Sequence, residues 1–211
     1  MKKIAIILFL FFSLAACDSP KPDQGNVNEN EVGTVASRLN EAAMKRYQDH
    51  LLGKNEGNDS LEASLKELDE AITIDPTQII FHTNKADILL ALHRGDDAIQ
   101  ALRNAVLVKP DFSEILSLIG FLYERKDDKE EALKWYQKAM NVYDKQIDDE
   151  KLVVNSKVNK AFLLLFIENG ESAHKAFKKV KEEYPKESEM VYSEQIFKDF
   201  DKETFLKGLY P

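Results

Sequence analysis

The sequence contains little of what catalytic and metal sites are built from. Its 211 residues include one cysteine and four histidines, and no two histidines have the HExxH spacing of a zinc site. None of the eight glycines belongs to a phosphate-binding loop, and no Gly-x-Ser-x-Gly sequence of a hydrolase occurs. We therefore predict no catalytic residue, no metal site and no cofactor, and we expect that the protein is not an enzyme.

The sequence also lacks an excess of basic residues. Lys and Arg number 29 against 37 Asp and Glu, which gives a formal net charge of −8. A net acidic chain repels the phosphates of nucleic acids, and no stripe of Lys and Arg interleaved with aromatic residues occurs. We therefore expect no nucleic-acid partner. With 44% hydrophobic and 31% charged residues, the composition is that of a globular protein.

One unbroken apolar run lies at the N-terminus. Two lysines precede the run at residues 4–12, and "SLAAC" follows it at 13–17. The run is too short to span a bilayer as a helix and is typical of a secretory leader. Because Cys17 is the only cysteine, it has no disulfide partner within the chain. An unpaired cysteine in an exported protein requires an explanation.

The residues "LAAC" (14–17) resemble the lipobox of bacterial lipoproteins. This resemblance implies a signal peptide at 1–16 and lipidation of Cys17, which would anchor the protein to a bacterial cell membrane, facing the periplasm or the cell exterior. Asp18 resembles the inner-membrane retention signal of enteric-type bacteria and favours the inner membrane, while the outer membrane stays open. The alternative is an ordinary export signal with an incidental cysteine. Residues 17–33 are rich in Pro, Asn, Gly and acids, which predicts a flexible tether after the lipidated cysteine.

A period of 34 residues runs through the rest of the chain. "NKADILLAL" (84–92) returns as "NKAFLLLFI" (159–167), two periods and seven residues later. Such a period is typical of helix pairs that cannot bury their apolar faces alone and stack on their neighbours. Similar residues recur at this spacing in five columns: Pro76 and Pro110; Ala71, Ala105 and Ala139; Leu68, Leu102 and Tyr136; Ala86 and Gly120; Ala98 and Ala132.

The period and its columns resemble the tetratricopeptide repeat family. The best copy is 113–146, with further copies at 79–112 and 154–187 and a degenerate copy before them. The resemblance implies an all-α solenoid of about four helix pairs over residues 34–187. Residues 188–211 are then expected to form a C-terminal capping helix or helix pair, as the end of a stack requires.

Two details of the connections follow from the spacing. The seven extra residues between the third and fourth copies lie within 144–153 and are predicted to lengthen a helix by two turns. Gly95 and Gly170 fall in turns between helices, where we expect glycine to supply a positive φ.

In tetratricopeptide proteins the first helices of the repeats line a concave groove that binds protein segments. Several residues at these positions are large and apolar although helix pairing does not require it, which favours an apolar or amphipathic segment as the ligand. Two alternatives stay open: the C-terminal helix fills the groove, or a second subunit does. Position by position, the resemblance assigns the partner-binding groove to Ile80, Thr83, Asp87 and Leu90 in the second copy, to Phe121, Glu124 and Arg125 in the third, and to Val158, Phe162, Leu165 and Phe166 in the fourth.

The sequence as a whole predicts a membrane-anchored adaptor or scaffold that binds another protein of the cell envelope. A small-molecule-binding lipoprotein associated with a transporter is an alternative, and it requires an enclosed pocket with convergent polar groups. A structural homo-oligomer that buries the groove on itself is the other.

Overall fold

The protein is all-α in a computed structural model, which describes residues 27–54, 57–186 and 189–210. These residues form ten helices and no strand, as predicted for the fold class. The helices are α1 (Val27–Leu51), α2 (Asn58–Ile74), α3 (Ile79–Ala91), α4 (Gly95–Val108), α5 (Ser113–Arg125), α6 (Lys129–Gln146), α7 (Val153–Ile167), α8 (Gly170–Glu183), α9 (Glu189–Asp199) and α10 (Lys202–Gly208).

The helices divide between two compact units. The described part of the first unit runs from residue 27 to Pro110 and includes Tyr210, and the second unit is Asp111–Leu209. In the first unit α1 pairs with α2, α3 pairs with α4, and α2 packs on α3. In the second unit α5 pairs with α6, α7 pairs with α8, and α6 packs on α7. Each unit therefore contains two helix hairpins side by side, which accounts for the four predicted pairs.

Close helix crossing explains one of the small-residue columns. A Cβ added to Gly120 in α5 would lie 2.4 Å from Cε1 and 2.5 Å from Cδ1 of Tyr136 in α6. Tyr136 is 1% exposed, and Ala132 on the same helix is also buried. The ring of Tyr136 therefore fills the space that glycine leaves, and this contact fixes the distance between the two helices.

The turns inside the hairpins use a different residue from the one expected. His93 and Asp127 have φ of 60° and 62°, whereas Gly95 and Gly170 do not have positive φ, so that prediction is wrong. In the first of these turns the N–H of Arg94 donates to the carbonyl of Leu89 at 2.8 Å, which closes the end of α3 around a left-handed residue. Gly95 instead leaves room for the side chain of Tyr210, because an added Cβ would lie 2.6 Å from its hydroxyl oxygen.

The seven extra residues lengthen a helix by less than predicted. Helix α6 has 18 residues against 14 in α4, and it ends at Gln146, so residues 147–152 form turns rather than helix. Asp149 interrupts the helix because its carboxylate accepts from the N–H of Lys151 at 2.8 Å, a local bond that competes with helix formation. The amide oxygen of Gln146 then accepts from the hydroxyls of Ser113 and Ser156 at 3.2 and 3.1 Å. This side chain thereby links the beginnings of α5 and α7.

The N-terminal predictions fall largely outside the described residues. This applies to the signal peptide, to Cys17 and to residues 18–26 of the tether. Helix α1 begins at Val27, so residues 27–33, which were assigned to the tether, are helical. None of the described helices has the length and hydropathy needed to cross a membrane.

Candidate partner-binding groove

In the first unit the predicted groove positions lie on α3, which also packs against α1. Thr83 and Leu90 are buried, with 7% and 5% of their surface exposed, while Ile80 and Asp87 are half-buried. The side-chain amide of Asn84 donates to Asn40 of α1 at 2.7 Å and so joins the two first helices. The half-buried pair is therefore the part of this face that a ligand can reach.

Asp87 gives this face an unusual carboxyl group. No hydrogen bond or ion pair to another described residue involves its side chain, and burial raises its pKa from 3.8 to about 7. Burial, and after it the charge of Asp87, raises the pKa of Tyr47 on α1 to about 12. The face therefore changes its charge near neutral pH, because Asp87 is half ionised there.

In the second unit the predicted groove positions form an aromatic cluster. The ring centroid of Phe121 on α5 lies 6.1 Å from that of Phe162 and 4.6 Å from that of Phe166, both on α7. The rings of Phe162 and Phe166 are 5.7 Å apart. These three rings therefore lie together, with Phe121 and Phe162 only 2% and 3% exposed, and their role in binding a partner stays a prediction.

The chain's own C-terminus covers this cluster. We call residues 200–209 the C-terminal insert; it contains α10 and two phenylalanines. The ring of Phe205 lies 5.1, 5.6 and 5.5 Å from those of Phe121, Phe162 and Phe166. The ring of Phe200 lies 5.2 Å from Phe162 and 5.5 Å from Phe166. Of the alternatives that the sequence left open, the filled groove is the one that the structure shows in this unit.

The C-terminal region is two helices, the second of the two forms that the sequence left open. Helix α9 packs against α7 and α8, where Phe197 stacks on Phe177 with ring centroids 4.3 Å apart. Helix α10 packs instead against α5. Helix α9 thus lies against the last hairpin, whereas α10 follows after the helix ends at Asp199 and lies in the groove.

Polar contacts hold the C-terminal insert at one end of the groove. The carboxylate of Glu124, 7% exposed, forms an ion pair with Lys202 of the insert. The same carboxylate accepts from the hydroxyl of Tyr136 at 2.6 Å. Arg125 donates from Nη1 to the carbonyl oxygen of Leu206 at 3.0 Å. The ammonium of Lys202 also lies 5.1 Å from the ring centroid of Phe166, within the range of a cation–π contact.

Tyr136 also belongs to this site, although it is not among the groove positions that the resemblance assigned. Burial and then the bond to Glu124 raise the pKa of its phenol, which therefore stays protonated and donates to the carboxylate. Its aromatic column in the repeat signals packing and does not show where the hydroxyl points. Of the remaining predicted residues of this unit, Val158 is buried and Leu165 is half-buried.

Within residues 27–54, 57–186 and 189–210, no three His, Cys, Asp or Glu side chains are grouped as a metal ion would require.

Comparison with known proteins identifies the central hairpin. The family model described as "Tetratricopeptide repeat" matches residues 113–146, the span predicted as the best copy. This segment resembles a single tetratricopeptide repeat. It consists of α5, the turn containing Asp127, and α6. The all-α tetratricopeptide fold predicted from the sequence is thereby confirmed.

The chain resembles short parts of longer tetratricopeptide proteins. It is 28% identical over 85 residues to "Small glutamine-rich tetratricopeptide repeat-containing protein 2" of Saccharomyces cerevisiae, covering 40% of this chain and 25% of that protein. It is 34% identical over 76 residues to "Protein STIP1 homolog" of Dictyostelium discoideum, 34% of this chain and 13% of the relative. For the "Hsp70-Hsp90 organising protein" of Plasmodium falciparum the values are 28% over 89 residues, 42% and 16%. The chain thus spans a quarter or less of these relatives.

A similar solved structure is the "Crystal structure of MamA protein". It has 12% sequence identity and a TM-score of 0.46, with 85% of this chain and 91% of that chain covered.

Proposed function

We propose that this protein is a lipid-anchored adaptor of the bacterial cell envelope, which binds a segment of another envelope protein through the first helices of its repeats. The observation that carries the proposal is the filled groove of the second unit. There, five of the predicted partner-binding residues enclose a peptide segment, which is the C-terminal insert. These five residues are Phe121, Glu124, Arg125, Phe162 and Phe166.

The chemistry of this groove suits a protein ligand. The aromatic cluster accepts apolar side chains, and the buried carboxylate of Glu124 accepts a cation. Arg125 binds a main-chain carbonyl, a group that every peptide segment offers at each residue. Such a combination of an apolar groove and a few placed polar groups is typical of sites for amphipathic helices.

The membrane location rests on the sequence. The lipobox resemblance of "LAAC" (14–17) supports lipidation of Cys17, and Asp18 favours the inner membrane. Two or more acyl chains give a stable anchor, whereas a single chain binds only marginally. The adaptor would then be held close to the lipid surface, where envelope proteins are its neighbours.

The coarser part of the proposal agrees with the comparisons. Tetratricopeptide proteins typically mediate protein–protein interactions, and one relative is named as an organising protein for Hsp70 and Hsp90. A binding role of this kind requires no catalytic group. The envelope partner and the membrane anchor go beyond these comparisons and are our proposal.

Site-specific crosslinking in living cells tests the proposal. A photo-crosslinking residue in place of the half-buried Ile80 should capture an envelope protein, because Ile80 lies on the first-helix face. The matched control is Leu107 on α4, a second helix of the same unit, whose side chain is 81% exposed. Capture from Leu107 and not from Ile80 would contradict the proposed face. Recovery of cytoplasmic proteins alone from Ile80 would contradict the envelope role.

A further inference from the structure

The C-terminal insert contacts the groove as a ligand does. Its helix α10 has seven residues and begins at Lys202, and the carboxylate of the preceding Asp201 caps it by accepting from the N–H of Thr204 at 2.8 Å. Isolated helices shorter than about 12–15 residues are marginal in water, so α10 depends on the groove for its stability. When the insert leaves the groove, its helix is therefore expected to unfold as well.

The insert can leave without removing the cap of the stack. Helix α9 has its own contacts on α7 and α8, including the stacked pair Phe197 and Phe177. The break between α9 and α10 falls at Phe200 and Asp201, which are not helical. A change of backbone angles there would release the insert and leave α9 in place.

The contacts of the insert define what the groove recognises. Phe200 and Phe205 place two rings, five residues apart, against the aromatic cluster. Lys202 between them neutralises Glu124, and a buried carboxylate without a cation is strongly unfavourable. A competing segment must therefore supply both the rings and the positive charge.

We propose that the C-terminal insert is an intramolecular ligand that closes the groove, and that the groove's partner carries two aromatic side chains five residues apart with a basic residue between them. This inference rests on the proposed adaptor function and specifies its ligand. The partner displaces the insert and takes over its contacts with Phe162, Phe166 and Glu124. Because the groove is open only while the insert is away, the apparent affinity for the partner falls in proportion to the open fraction.

A peptide copy of the insert provides the probe. We would use the chain from Asp18 onward, which keeps every described residue, and a fluorescent peptide with the sequence of residues 199–210. Lys202→Ala removes the ion pair with Glu124 and should open the groove. The matched control is Lys207→Ala on the same helix, because Lys207 pairs with Glu203 of α10 and not with the groove. Both variants lose one positive charge.

We expect the peptide to bind the Lys202→Ala protein at least about tenfold more tightly than either the unchanged protein or the Lys207→Ala protein. Phe205→Ala in the protein should give a larger increase. A peptide in which both phenylalanines are alanine, or in which the lysine equivalent to Lys202 is glutamate, should not bind. Equal peptide affinities for the Lys202→Ala and Lys207→Ala proteins would overturn the proposal. This comparison does not depend on whether the Phe205→Ala protein folds.

Sedimentation of the same proteins tests whether a second copy of the chain, rather than another protein, occupies the opened groove. If Lys202→Ala or Phe205→Ala produced a dimer that exchanges inserts and takes up no peptide, the ligand would be another subunit and the proposed partner would be wrong. The peptide-binding test of this inference and the crosslinking test of the adaptor function can also fail independently. Tight peptide binding without any crosslinked envelope protein would preserve this inference and contradict the adaptor function. Capture of an envelope protein that the peptide does not prevent would support the adaptor function and contradict this inference.

Discussion

Replacing Gly120 by alanine tests the packing that defines the tetratricopeptide hairpin. The new Cβ would lie 2.4 and 2.5 Å from two carbons of the Tyr136 ring, well inside normal carbon–carbon contact. The ring has little freedom to shift, because its hydroxyl donates to Glu124 at 2.6 Å and its centroid lies 5.5 Å from that of Phe121. Either the ring loses these contacts or α5 and α6 move apart.

The expected loss of stability combines two opposing effects. Overpacking a buried site costs about 1–3 kcal/mol. The change from glycine to alanine inside a helix returns up to about 1 kcal/mol. Because the new Cβ would approach the ring to 2.4 Å, we take a cost in the upper half of the overpacking range and expect Gly120→Ala to lower the free energy of unfolding by about 1–2 kcal/mol. With a denaturant slope of about 2 kcal/mol/M, the urea midpoint followed by circular dichroism should fall by about 0.5–1 M.

Gly33→Ala provides the control for helix propensity. Gly33 also lies inside a helix, but an added Cβ meets nothing within 4 Å. This variant should be neutral or more stable by up to about 1 kcal/mol. In a Tyr136→Leu background, which removes the clashing ring, Gly120→Ala should lose its penalty. If Gly120→Ala were as harmless as Gly33→Ala in the unchanged background, our account of the helix crossing would be refuted.

Three further predictions address other parts of the molecule. The folded-state pKa of Asp87, about 7, lies above its reference value of 3.8, so the folded protein binds this proton more tightly and loses stability as pH rises through that window. Asp87→Asn should therefore raise the melting temperature more at about pH 8 than at about pH 5. Gln146→Ala removes two hydrogen bonds to serines and should cost about 1–2 kcal/mol in urea unfolding, whereas Gln100→Ala, whose bond to Asn104 is exposed, should cost little. Cys17→Ser should move the protein from the membrane fraction to the soluble fraction of the cell, and retention in the membrane would contradict lipidation.

Periodic packing explains why the repeats could be predicted from the sequence. Gly120 packs against Tyr136, and similar residues precede each of them by 34 residues, Ala86 and Leu102, so the spacing marks the repeats. The family match to 113–146 confirms those boundaries for one copy. Contacts that do not recur carry no such signal, and the turn at 147–152 was predicted as helix for that reason.

The path of the C-terminus could not be derived in the same way. The apolar spacing of Phe200 and Phe205 shows that they need burial but not where. The site where they pack depends on the break after α9 and on the ion pair of Lys202 with Glu124. The sequence does not show that Glu124 is buried and therefore requires a cation. The positive φ in the turns was assigned to glycines, whereas His93 and Asp127 adopt it, and neither residue type by itself predicts this conformation in the sequence.

The central claim is that the first-helix face of the second unit binds a segment of an envelope protein once the C-terminal insert has left. Its most direct test is crosslinking in cells from Phe166, with Leu133 on the second helix of the same unit as the control position; Phe166 is half-buried and Leu133 is 45% exposed. We predict that Phe166 captures an envelope protein, that capture increases in the Lys202→Ala background but not with Lys207→Ala, and that Leu133 captures none. Capture from Leu133 alone, or capture from Phe166 that is unchanged by Lys202→Ala, would contradict the claim.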